Sequence, residues 1–143
     1  MGHEHKGGYS AKHGSIRAED RIVKAIDNHI KDKKITCAAA HKAAQEAAAS
    51  PEIVGQQIDL LEYKITHCQV GLFGYPETGK NFDNNIIIGD ALDKAIEELK
   101  TENAVTCSDC WEIARQLKLK RLEVGSACEK KGVRIKPCQL GTF

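Results

Sequence analysis

The sequence predicts a mainly α, α+β protein: two tandem trihelical units, each with a minimal two-stranded β ribbon. Three observations carry that expectation. The chain nearly repeats itself at an offset of 70 residues. Each copy shows helical apolar spacing followed by short extended pieces. Residues that start and stop helices recur at matching places.

The repeat comes first, because missing it misreads the whole fold. "CQVGLF" at Cys68–Phe73 returns as "CQLGTF" at Cys138–Phe143, and 14 of the 54 ungapped pairs between 20–73 and 90–143 are identical. Length alone suggests one domain, but the duplication argues for two small ones that support each other. The expected organisation is therefore an arm at 1–19, a first unit at 20–73, a connector at 74–89 and a second unit at 90–143. The arm is polar and rich in Gly and His, and reads as disordered. Its His3, His5 and His13 have metal-ligand chemistry, although a solvated tail is the plainer account. The connector carries Pro, Gly and three Asn, yet Ile86-Ile87-Ile88 calls for burial.

Each element has a local reason. Ile22, Ile26 and Ile30, matched by Leu92 and Ile96, form the stripe of a first helix. Lys34–Thr36 and Ala104–Thr106 are short extended pieces. Thr36 and Thr106 are N-cap candidates for a second helix over 37–48 and 107–118, and Asp109 gives the latter an acidic capping box. Ser50-Pro51 opens a third helix, with Pro at the position whose missing N–H costs nothing. Val54, Ile58 and Leu61 are its expected buried face. In the second unit Val124 and Cys128 take the first two places, Lys131 replaces the third, and Gly132 ends the helix in the left-handed region. Tyr63–Gln69 and Val133–Gln139 read as extended. The strand before helix two should pair with the strand after helix three. Gly55 and Gly125 predict a close approach to a neighbouring helix, and Gln69 and Gln139 should satisfy backbone groups.

The frame in "IARQLKLKRLEVGSACEKKGVRI" (113–135), and more faintly in "KAAQEAAASPEIVGQQIDLLEYKI" (42–65), resembles the helix-turn-helix of winged-helix DNA-binding proteins. The resemblance covers about three quarters of the chain and departs from the family in having too few residues after helix three for a long wing. It implies that helix three reads bases in the major groove of double-stranded DNA while basic side chains hold phosphate. In the first unit Gln56 and Gln57 suit adenine. Helix three there carries Glu52, Asp59 and Glu62. In the second unit Lys118, Lys120, Arg121, Ser126, Lys130, Lys131, Arg134 and Lys136 are the candidate contacts. Residues 115–136 hold eight basic side chains against two acidic ones, a net of +6. This points to a small DNA-binding regulator of bacterial type, with the first unit as a homodimer or partner surface. The alternative is a protein-interaction or thiol/metal-responsive adaptor on the same fold without DNA.

Cysteine spacing adds a second theme. Cys37 and Cys68 are 31 residues apart, as are Cys107 and Cys138, so strand pairing would set each couple side by side. Packing, a reversible disulfide and a metal are three readings. Cys107, Cys110, Cys128 and Cys138 are numerous enough for a tetrahedral zinc, but Cys110 and Cys128 answer to Ala40 and Ile58 in the first copy. A helix N-terminus would lower the thiol pKa at the start of helix two. No phosphate-binding loop or catalytic carboxylate pair is present, so the expectation is that the protein is not an enzyme. No apolar run nears the roughly 20 residues of a membrane span. Six cysteines without an export signal suggest reduced thiols in a cytoplasm.

Overall fold

The computed structural model describes residues 20–142, so the arm with its three histidines and Phe143 lie outside the described residues. The fold is mainly helical with two small sheets, and the chain divides into two compact units.

In the first unit α1 spans Asp20–Asp27 and buries Ile22 and Ile26 completely. A turn with left-handed Asp32 and Lys33 leads to β1, Lys34–Thr36. Helix α2, Cys37–Glu46, starts where Thr36 Oγ1 accepts the Ala39 N–H at 3.0 Å. Its inward face is Cys37, Ala40, Ala43 and Ala44, small enough to let the neighbouring helices close. Helix α3, Pro51–Leu60, starts where Ser50 Oγ accepts the Ile53 N–H at 3.3 Å. Val54 and Ile58 are buried as their spacing predicts. Leu60 is buried in place of Leu61, which is half-buried. Strand β2, Lys64–Thr66, pairs with β1 in parallel, Ile35 opposite Ile65.

The second unit repeats the order: α4 (Asp90–Leu99), β3 (Ala104–Val105), α5 (Cys107–Leu117), α6 (Arg121–Lys131) and β4 (Arg134–Ile135). Thr106 and Asp109 form the expected capping box on α5. Gly132 ends α6 at φ 71°. Strands β3 and β4 pair in parallel, Val105 opposite Ile135. The strand partners are those the spacing predicts, but the extended stretches are shorter. The direction follows from two helices crossing between the strands, whereas a winged-helix hairpin would be antiparallel.

The repeat boundaries and the compact units do not coincide. Leu140–Thr142, from the end of the second repeat, belong to the first unit; Cys68–Phe73, from the end of the first repeat, belong to the second. Each tail lies across helix three of its adopted unit. An added Cβ on Gly55 would stand 1.8 Å from the Leu140 carbonyl oxygen, and one on Gly125 would stand 1.8 Å from that of Val70. The glycines therefore admit a tail backbone, not the neighbouring helix that the sequence suggested, because only a residue without Cβ lets a carbonyl come so close.

Candidate functional site

Helix three is where a helix-turn-helix protein would work, so each predicted contact is placed relative to it. On α3, Gln56 is half-buried at the surface. Gln57 is only 1% exposed, so the expectation that it meets a base edge is corrected: it is a core residue. The open face of α3 holds Glu52, Ile53, Gln56 and Asp59, with Glu62 just beyond the helix. Ile53 is 39% exposed, an apolar side chain among acids.

On α6 the corresponding face is covered. Residues Val124, Gly125, Ser126, Ala127 and Cys128 are all buried, five in succession. The cover is the connector. The Asp83 N–H donates to Ser126 Oγ at 2.8 Å, and Lys130 Nζ donates to the Ile86 carbonyl at 2.8 Å. Ser126 is thus a structural acceptor, not a base contact, because its hydroxyl satisfies a connector amide. Of the isoleucine run, Ile86 is buried and Ile88 packs on the core, while Ile87 is 90% exposed and is not buried as expected.

The basic residues divide accordingly. Arg121 stacks over the Trp111 ring at 3.5 Å and donates to Gln69 Oε1 at 3.2 Å. Lys131 is bound to Asp93 and, at 2.8 Å, to Glu97. These bonds hold the Glu97 carboxyl down to about 2 and push Lys131 up. Lys118 and Lys120 at the α5–α6 turn, and Arg134 and Lys136 after α6, remain exposed and outside the ion pairs seen among the described residues. An eleven-residue helix separates the two pairs, about 16 Å of rise. Beside the turn lies a cavity of about 360 Å³ lined by Gln69, Tyr75, Leu119, Lys120, Arg121 and Leu122.

The cysteines are free thiols, and all six are buried. Cys37 belongs to the first compact unit and Cys68 to the second, so that couple is not one ribbon pair within a unit. Cys107 meets the second tail, its N–H donating to the Pro137 carbonyl at 3.1 Å while Gln139 Nε2 donates to its sulfur at 3.8 Å. Gln69 and Gln139 thus contact side chains, where backbone groups were expected. Burial pushes the Cys107 thiol up to about 11, so desolvation outweighs the helix N-terminus that was expected to lower it. The neighbours the spacing did not reveal are Cys110 and Cys128, both fully buried in one core cluster between packed helices. Among the described residues no three His, Cys, Asp or Glu side chains converge to hold a metal ion, so the four-thiolate zinc arrangement is not formed. The signal for Cys110–Cys128 was available: spacing three on helix two and the start of helix three's core stripe, on helices that must touch.

No family model, curated protein or solved structure matches the chain. No helix among the described residues is long and apolar enough to cross a membrane.

Proposed function

We propose that the chain is a protein-interaction module on a helix-turn-helix frame, whose α3 surface around Ile53 and Glu52 receives a basic segment of a partner protein. One observation carries this reading. The outer face of α6 is occupied by a turn of the chain itself, Asp83–Ile86, whose Ile86 N–H donates to the Asp83 carbonyl at 3.2 Å, whereas α3 exposes Ile53 beside Glu52. The homologous helix shows what such a surface accepts: connector backbone with one buried aliphatic side chain, Ile86. The acids on α3 select a cationic version of it and would repel phosphate. The test is fluorescence polarisation with a labelled peptide of alternating lysine and valine. Ile53→Asp combined with Glu52→Lys should weaken binding by about tenfold or more. Equal affinity for the variant overturns the reading.

A second reading, a small DNA-binding regulator, draws support from Lys118, Lys120, Arg134 and Lys136. These flank α6 and suit phosphate, which gives affinity without base readout. The single informative titration is random duplex at low and moderate salt. Phosphate-driven binding falls steeply with salt, and each lysine or arginine removed lowers the slope by about one. No binding at low salt ends this reading. Six free thiols fit a reducing, cytoplasmic setting for either role.

A further inference from the structure

We propose that Cys110 and Cys128 are a redox couple that closes into a disulfide between α5 and α6 when hydrogen peroxide reaches the core of the second unit. The inference does not depend on which partner the protein binds.

Three observations bear on it. Both residues are fully buried in the same core cluster of the second unit, on helices that pack together. In the first unit the same two places hold Ala40 and Ile58, also fully buried, so the fold closes there without sulfur. Packing alone therefore does not require a thiol at either position, yet both thiols occur in the same copy. Of the remaining thiols in this unit, Cys107 receives a hydrogen bond from Gln139.

The chemistry assigns distinct roles. The neighbouring Cys110 thiol and the Lys131 charge favour the charged form of Cys128, while the Cys128 thiol and burial disfavour that of Cys110. Cys128 is then the nucleophile. Its thiolate attacks the peroxide, an S–O bond forms, the O–O bond breaks, and the departing hydroxide leaves as water after taking a proton. The Cys110 sulfur next attacks the sulfenyl sulfur of Cys128. The S–S bond forms, the S–O bond breaks, and the hydroxide leaves with the Cys110 proton as a second water. Two thiols lose two electrons and two protons; the hydrogen peroxide is reduced.

Because both sulfurs are sealed from solvent, the reaction waits on local opening of the α5–α6 pair. The product has a defined reach: the sulfurs close to about 2.05 Å and the Cα atoms to about 4.4–6.8 Å. The link would tie α5 to α6, whose three-residue connection, Lys118–Lys120, carries exposed lysines and borders the cavity.

The experiment treats the whole chain with hydrogen peroxide, blocks remaining thiols with N-ethylmaleimide and maps peptides without reduction. A Cys110–Cys128 link is expected, faster in mild urea and reversed by dithiothreitol, with Cys107 and Cys138 still alkylated. A Cys107–Cys138 link, sulfinic acid without a disulfide, or no reaction even in mild urea overturns the proposal. Cys110→Ala restores the residue of the first copy. It should keep the circular dichroism of the reduced wild type and lose the link at Cys128 by at least about tenfold; a persisting link at Cys128 also overturns the proposal. Cys128→Ala provides the same readout at Cys110 if the first variant folds poorly.

Discussion

Helix three of the first unit and helix three of the second share a glycine under a tail carbonyl and differ in what lies over the next turn. On α3 Glu52 and Ile53 are exposed and Gln56, the counterpart of Ser126, is half-buried. On α6 the surface beyond Gly125 is sealed by Asp83–Ile86, with Ser126 and Lys130 holding the strap. The glycine closes the unit, and the outward residues decide what is left for a partner. One copy retained closure and kept a free face; the other used that face to anchor the connector.

The largest effect that could break this comparison comes from the glycines. Gly125→Ala forces a Cβ into the Val70 carbonyl and expels a tail that also holds Cys68, receives Tyr75 Oη at the Cys68 carbonyl and binds Asn81 at Gly71. Urea unfolding should show a loss of about 3 kcal/mol or more. Gly55→Ala releases Leu140–Thr142, whose one buried side chain is Leu140, so its loss should stop near the roughly 2 kcal/mol that a buried leucine contributes. Equal losses would mean that the two tails carry equal weight. Next in size, Ser126→Ala removes the acceptor of the Asp83 amide and should cost about 1 kcal/mol, with faster hydrogen exchange at Asp83. Gln56→Ala, its counterpart, should move the urea midpoint little.

A smaller effect is expected where the third helices end. Gly132 turns at φ 71° without strain, while Glu62 holds φ 59° with a side chain. Glu62→Gly should therefore stabilise by about 0.5–1 kcal/mol, and Gly132→Ala should destabilise by about as much. Least of all is a pH dependence confined to the second unit. Glu97 lies below its ordinary 4.5, at about 2, because Lys131 and Lys100 donate to it. A depressed carboxylate stabilises fully above its unfolded value, and the contribution is lost as pH falls from about 4.5 towards 2. Lys131→Met should flatten the urea midpoint in that window. The matching residues of the first unit are Leu61 and Asp27, so no such pair arises there.

Local chemistry explains what the sequence disclosed. Thr36, Ser50 and Thr106 each cap within three residues, and Gly132 stops α6 by its own φ, so neither needs distant chain. Strand partners followed from the repeat. The rest is long-range. Gln57 looks like a surface glutamine by type, and only the packed unit shows it buried. Ser126 looks like a base reader until the connector amide, 43 residues away, is placed on it. Cys110 and Cys128 are 18 positions apart and meet only when α5 and α6 pack.

The traded tails bear on the ancestry of the chain. A lone half, cut at the repeat boundary, holds a glycine-marked groove and a "CQ-aliphatic-G" peptide that fits the groove of its twin. Each half cut at the repeat boundary therefore lacks the tail that lies over its own glycine and carries the one that lies over the other. Mixing separately made halves should restore the fold of both, each rescued by a piece it does not itself encode.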